Sequence, residues 1–297
     1  MIASEQKEAL GTLIEIKLPE EEANLFSLCF EELRRIEKTY SRFLDNSLLS
    51  KINNALDTWH SVPDEFISLL EKAEFFREKT DGNFDITLKA VLDQLGYDKN
   101  YSFTPKKLPK KTILSTLKES ITKPILIDKK NKKIKLRKEI DFGGMGKGYA
   151  LDRVSSLLEK NDIAHYYINA GGDIYAKKSK KEEPWHILLE HPDDLERAIG
   201  SLELDGQALA ASSSNRRKWK GLHHLINAKS KKPAHSVKAI FVLAKFGIEA
   251  DAYATALFTA GFEQAIALAK ELPIEMLIIS RESKMFRTKK FPVQLFQ

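Results

Sequence analysis

The sequence predicts an α+β fold, with mixed or antiparallel sheets flanked by helices. Strand-like and helix-like stretches are interleaved, but not in the regular strand–helix–strand order that a doubly wound parallel sheet demands. The strand-like runs are short, and several adjoin tight-turn residues, as in hairpins. With 297 residues, 42% of them hydrophobic, the chain has enough apolar surface for one large core or two intimate lobes. No internal repeat and no clean linker divides it, so residues 1–297 are expected to form one unit.

The elements follow from periodicity. Gly11 to Leu18 alternates as a strand, with Leu13, Glu15 and Lys17 on one side and Ile14, Ile16 and Leu18 on the other. Glu21 to Tyr40 carries Leu25, Leu28, Cys29, Leu33 and Ile36 near helical spacing. A second helix is expected after Pro63, capped by Asp64, with Phe66, Leu69, Leu70, Ala73 and Phe76 as its apolar face. It ends at the turn Thr80-Asp81-Gly82. Residues 86–96 read as a helix stopped by Gly96, and residues 98–124 as a lysine-rich surface excursion. Ile125 to Ile127 and Ile134 to Leu136 flank a Lys-Asn-Lys tract, a hairpin signal. Leu151, Val154 and Leu158 mark the next helix. Strands are expected over Tyr166 to Asn169, Trp185 to Glu190, Ala208 to Ser212, Val237 to Ala244 and Ile274 to Ser280. Helices are expected over Glu249 to Thr259 and Phe262 to Glu271, broken at Gly261.

Composition excludes several classes. The lone Cys29 rules out an internal disulfide and a cysteine zinc site, and its apolar helical setting predicts a small core residue. No run reaches 18 apolar residues, so no transmembrane segment is expected. The first residues lack the basic-then-apolar pattern of a secretory signal. As given, the chain reads as cytoplasmic; a periplasmic or membrane-anchored protein trimmed of its export signal reads the same. The net charge of +6 resides partly in lysine-rich loops, whose bland reading is solvated charge. Those runs lack interleaved aromatics and no recognition motif accompanies them, so no nucleic-acid partner is expected.

The most informative segment is Asp141-Phe-Gly-Gly-Met-Gly-Lys-Gly-Tyr-Ala-Leu-Asp152. Glycines let a ligand approach the main chain, the following helix N-terminus suits phosphate, and Lys147 adds a mobile positive charge. Together they predict a site for a phosphorylated ligand; a plain connecting turn is the competing reading. A P-loop is excluded because Gly148, not Ser or Thr, follows Lys147, and G-x-G-x-x-G also fails. Asp251 and Thr255, four apart on a helix, share one face and can reach one hard cation; helix capping by Asp251 is the alternative. His223 and His224 point to opposite sides of a strand, one core and one surface, or one beside a substrate. No third His or Cys sits at zinc-ligand spacing. Asn169 to Asp173, Asn83 to Asp85 and Ser212 to Arg217 place polar groups around turns, and the last could face phosphate.

These segments, in this order, resemble the ApbE family of FAD:protein FMN transferases. Leu10-Gly-Thr12 resembles its Met-Gly-Thr block, and Ser41-Arg-Phe43 with Ser47 and Asn53 its second block. Thr80 to Thr87 resembles the block that holds flavin. Asp141 to Asp152 matches Asp-x-Gly-Gly-x-x-Lys-Gly-x-x-x-Asp, and Asn169 to Asp173 matches Asn-x-Gly-Gly-Asp. Ser212 to Arg217 resembles the Thr-Ser-Gly block, His224 to Asn227 resembles His-Ile-Ile-Asp, and Asp251 to Thr255 matches Asp-Ala-x-x-Thr. The blocks span nearly the whole chain. Departures are Leu10 for methionine, Ser214 for glycine, and Ala228 and Lys231 where proline and glycine are frequent.

The resemblance implies a compact, T-fold-like architecture and an enzyme. Such enzymes cleave FAD at its pyrophosphate and attach FMN, through phosphate, to a Thr or Ser hydroxyl of an acceptor protein, releasing AMP. It implies Mg²⁺ held by Asp251, Thr255 and Gly144, with FAD contacted by Asp141 and Lys147. It implies Leu10, Phe43, Asn83, Phe84, Asp85 and Leu225 as lining of the flavin and adenine pockets, and His224 close to the acceptor hydroxyl. Hydrolysis of FAD to FMN and AMP, and simple FAD binding, stay open as alternatives.

Overall fold

The computed structural model describes residues 1–105 and 123–296. Most of the expected lysine-rich excursion therefore lies outside the described residues. An eight-stranded sheet runs through the molecule in the order Ile2–Ala9, Thr12–Pro19, Tyr166–Ala170, Asp173–Lys177, Gln207–Ser213, Val237–Ala244, Glu275–Ser280 and Met285–Arg287. Every neighbouring pair is antiparallel. The absence of regular strand–helix alternation predicted this arrangement.

Both faces of the sheet are covered. One face carries Ile14, Ile16, Tyr166, Ile168, Val242 and Ala244 into the main core. The helices are α1 (Phe26–Tyr40), α2 (Leu48–Asn53), α3 (Asp64–Lys79), α4 (Lys89–Leu95), α5 (Gly146–Lys160), α6 (Gly247–Ala260) and α7 (Phe262–Ala269); α1, α3, α5 and α6 supply much of that core, while α4 packs with Tyr97, Trp219 and Ile226 in a separate cluster. The opposite face presents the alternate residues Tyr167, Phe241 and Leu243 to a small sheet of Trp185–His191, Asp194–Leu204 and Gln294–Leu295. Burial on both sides explains why Val237–Ala244 is apolar almost throughout. Helix α6 is apolar around nearly its whole circumference, as a central helix must be.

Several expected boundaries shift. Residues 20–25 form a 3-10 turn before α1 rather than its first turns. The 86–96 helix is a 3-10 turn, Ile86–Leu88, followed by the short α4, which Gly96 ends in the left-handed conformation at φ 95. Pro63, not Asp64, occupies the cap of α3; Asp64 sits in the first turn and pairs with Lys132 across 2.6 Å. The expected hairpin is present as Ile125–Asp128 against Lys133–Leu136. Cys29 is fully buried, and burial pushes its thiol up to about 12.

Candidate active site

The Asp141 to Asp152 segment enters α5 with two apolar anchors, Phe142 and Met145, buried in the core. Between them Gly144 passes so close to α6 that a Cβ there would lie 3.0 Å from Thr255 Cγ2 and 3.3 Å from Thr255 Oγ1 and Phe84 Cε2. The chain thus brings a backbone unit against the Thr255 hydroxyl, which a larger residue would push away. Gly148 packs on Gly247 of α6 still more tightly.

Three charged groups meet where α5 and α6 approach. Lys147 Nζ pairs with the buried Asp173 carboxylate and stands 3.6 Å from Asp251 Oδ1. The other oxygen of Asp251 accepts the Gly148 N–H at 3.0 Å. Burial raises the Asp251 carboxyl to about 6, against the pull of Lys147. Burial works to lower the lysine, but the two carboxylates outweigh it and keep it an ammonium. Lys147 is therefore anchored, not the mobile charge that the sequence suggested. The first turn of α5 also spends one N–H on Asp251 instead of leaving it for phosphate.

These groups line a cavity of about 930 Å³. The chain brings to its wall all twelve residues singled out above: Leu10, Phe43, Asn83, Phe84, Asp85, Asp141, Gly144, Lys147, His224, Leu225, Asp251 and Thr255. Leu10 and Gly11 form the two-residue turn between the first strands, with φ of 55 and 69. A leucine in this conformation is strained, and it puts the side chain at the cavity rim. Asp141 is held by Arg42, whose side chain is 1% exposed; Arg42 Nε lies 2.9 Å from Asp141, and its other nitrogens reach Asp93 and the Tyr97 carbonyl at 2.8 Å. Asp85 accepts from the Thr87 N–H and hydroxyl, and Lys231 stands 3.7 Å away. Lys231 adopts the left-handed conformation at φ 58, which a lysine rarely takes.

The two histidines divide their roles. His223 is buried; its Nε2 donates to the Ala234 carbonyl at 2.7 Å and its Nδ1 accepts from the Leu225 N–H at 3.2 Å. His224 faces the cavity beside Tyr97, with ring centroids 5.6 Å apart. Burial, reinforced by Arg217, His223 and Lys147, holds it well below the usual histidine range. Its Nδ1 and the Asn83 Oδ1 are buried without a hydrogen-bond partner among the described residues. Buried polar atoms are nearly always satisfied, and both residues line the cavity.

Sequence reasoning named no role for Arg42, Tyr97 or Asp173, and read Arg217 only as part of a segment that could face phosphate. Arg42 and Asp173 sit inside motif blocks, and that was the available signal. Tyr97 and Tyr101 carried none. Tyr101 stacks on Phe43 with centroids 4.8 Å apart, and Arg217 donates to the Tyr97 hydroxyl at 2.7 Å.

The residues fit a hard cation. Among the described residues no cluster of three His, Cys, Asp or Glu could form an all-protein cage. One carboxylate, one hydroxyl and an adjacent backbone unit make a partial set of oxygen donors, which suits Mg²⁺ completed by water and substrate phosphates. No helix among the described residues is long and apolar enough to cross a membrane.

The model of the ApbE family matches residues 10–278. A Buchnera aphidicola protein named FAD:protein FMN transferase is 27% identical over 296 residues, covering 94% of this chain and 86% of that one. The crystal structure of the ApbE protein from Thermotoga maritima superposes with a TM-score of 0.89 at 28% identity, covering 98% of each chain. The flavin transferase ApbE from Vibrio cholerae shares the fold at 21% identity, with a TM-score of 0.85 and 98% of each chain covered.

Proposed function

The chain belongs to the ApbE family, and from that premise we propose that it transfers FMN from FAD to a Thr or Ser hydroxyl of an acceptor protein, releasing AMP. The observation that carries the reading is the convergence of the family's motif residues, from Leu10 to Thr255, on one cavity that holds unpartnered buried polar atoms. That same convergence supports one transferase unit over residues 1–297.

FAD is the substrate. The pyrophosphate is assigned to the region of Lys147, and the two ring systems to the lining formed by Leu10, Phe43, Asn83, Phe84, Asp85, Asp141 and Leu225. Asp251, Thr255 and Gly144 would hold Mg²⁺, with Gly144 contributing its carbonyl. When bound, the ion supplies charge neutralisation on the phosphoryl oxygens. Lys147 adds a fixed positive charge on the same side of the cavity, preorganised by its carboxylate partners.

In the transfer, the acceptor hydroxyl oxygen attacks the phosphorus on the FMN side. The new P–O ester forms as the bond to the AMP phosphate breaks, and AMP leaves with that electron pair. The hydroxyl proton must go to a base within hydrogen-bond reach. His224 is assigned that place: it lines the cavity and is kept neutral by burial and neighbouring cations. A polar acceptor loop, rather than a buried segment, would enter such a cavity.

The test is mass spectrometry of an acceptor carrying an Asp-x-x-Ser-Gly-Ala-Thr type motif after incubation with FAD, Mg²⁺ and the enzyme. Gain of FMN as a phosphoester on the Thr supports transfer. AMP release with unlabelled acceptor would replace it by FAD hydrolysis, and intact FAD would refute both.

A further inference from the structure

We propose that Asp173 is a positioning residue that keeps the Lys147 ammonium off the Asp251 carboxylate, so that Asp251 stays open to a cation. The inference rests on the cation reading above and concerns a residue to which that reading gives no part in holding the cation.

The geometry is specific. Asp173 begins the strand Asp173–Lys177 after the Gly171-Gly172 turn, which is fastened by the Gly172 N–H donating to Asn169 Oδ1 at 2.8 Å. One oxygen of Asp173 accepts the Ala211 N–H of the neighbouring strand at 3.1 Å. The other meets Lys147 Nζ directly, whereas Asp251 Oδ1 stands 3.6 Å from the same nitrogen, a looser ion pair. The Asp173 side chain is 3% exposed and that of Lys147 21%, so water reaches the pair mainly through the lysine, on the cavity side. Asp173 is thus fixed by the sheet, and it fixes the lysine.

The charge count gives this arrangement a purpose. Two carboxylates and one ammonium leave one negative charge. With Asp173 in place, Lys147 is satisfied by the sheet and the remaining charge stays on Asp251. Without it, Asp251 becomes the lysine's nearest carboxylate. The ammonium would then close the 3.6 Å gap and compete with any cation for the same oxygen. Asp173 acts through Lys147 and does not itself touch the cation.

The test is a titration of the full chain with Mn²⁺, without nucleotide, read by the loss of the free-ion paramagnetic resonance signal. Asp173→Asn keeps an oxygen to accept the Ala211 N–H but removes the charge. It should weaken Mn²⁺ binding roughly 10–100-fold, the range for outer partners of metal ligands. The loss should shrink to about threefold when Asp173→Asn is introduced into a Lys147→Met background, because the competitor is gone; that coupling is what a double-mutant cycle isolates. The double variant buries neither charge of the pair and is readable even if the single variant melts low. Unchanged binding in Asp173→Asn overturns the proposal, as does an equal loss in both backgrounds, which a merely structural role predicts. Failure of the unaltered protein to bind Mn²⁺ would instead overturn the cation reading itself, and this inference with it.

Discussion

Gly148→Ala is the sharpest probe of how α5 and α6 set the site. A Cβ at Gly148 would lie 2.1 Å from the Gly247 carbonyl oxygen, 2.5 Å from its carbon and 2.8 Å from Asp251 Cβ. Ordinary contact begins near 3.5 Å, so the helices must separate by about 1 Å. The obstacle is backbone, and no rotamer change relieves it. Overpacking of this kind costs up to about 3 kcal/mol, while alanine is the better helix residue by about 1 kcal/mol. The net loss is about 2 kcal/mol, a fall in Tm of roughly 3–6 °C for a chain of this size. Activity should suffer more than stability. A shift of about 1 Å in Asp251 against Lys147 is enough to cost roughly 100-fold in kcat/KM. Gly146→Ala is the control on the same helix, because a Cβ there meets only Phe142 Cβ at 3.9 Å; its Tm should not fall. Differential scanning calorimetry and FAD turnover measure both. An unchanged Tm and kcat/KM in Gly148→Ala would refute the argument that this glycine pair sets the site.

Asp251→Asn keeps an acceptor for the Gly148 N–H and should lower Mg²⁺-dependent turnover at least about 100-fold while the Tm holds, read by AMP release. His224→Ala should lower kcat roughly 100–10,000-fold with FAD affinity nearly unchanged; equal losses in kcat and affinity would remove it from the proton transfer. Arg42→Met leaves Asp141 without its buried cation, while Asp93 keeps Lys89 at 2.8 Å, and should cost about 3 kcal/mol, seen as an early melting transition. Asp152 accepts the Gly247 and Ile248 N–H groups at 2.5 and 3.0 Å, and burial raises it to about 6 despite them, with Lys72 lowering and Glu249 raising it more weakly. A raised carboxyl means that the native state binds more protons than the unfolded chain between about pH 4 and 6, so this group's contribution falls as pH rises through that window. The stability of Asp152→Asn relative to the parent should therefore increase from pH 4 to 6 and level off above, in melts across pH; a flat difference would contradict it.

Where a segment's own chemistry decided its structure, the sequence was enough. Val237–Ala244 and the α3 face were legible because their burial is nearly complete. Ile2–Ala9 was not: this edge strand is largely exposed, and Ile-Ala-Ser-Glu-Gln-Lys-Glu-Ala carries little alternation. It forms because Thr12–Pro19 pairs with it in full register, a cross-strand gain that the segment's own pattern does not contain. The same limit applies to the cavity. Asn83, His224 and Asp251 were found through motif blocks, but Tyr97 and Tyr101 come from the unpatterned stretch after α4. Which side of the chain each histidine faces was settled by the Ala234 carbonyl, eleven residues from His223.

The glycine-lysine segment shows why a motif can point to a site and still be misread in detail. Its glycines suggested freedom for ligand approach, yet none from Gly143 to Gly148 has a positive φ. Gly144 and Gly148 are required by space: one admits Thr255, the other admits the backbone of α6. Asp152 at the motif's end accepts the first N–H groups of α6 and does not line the cavity. Half of the segment therefore fixes the helix that carries Asp251 and Thr255, and the other half supplies Asp141, Gly144 and Lys147 to the cavity. Those two tasks require one spacing, since Gly148 and Asp152 lie one helical turn apart and both face α6. A substitution that spares every cavity residue can thus still disarm the site by letting α6 slide.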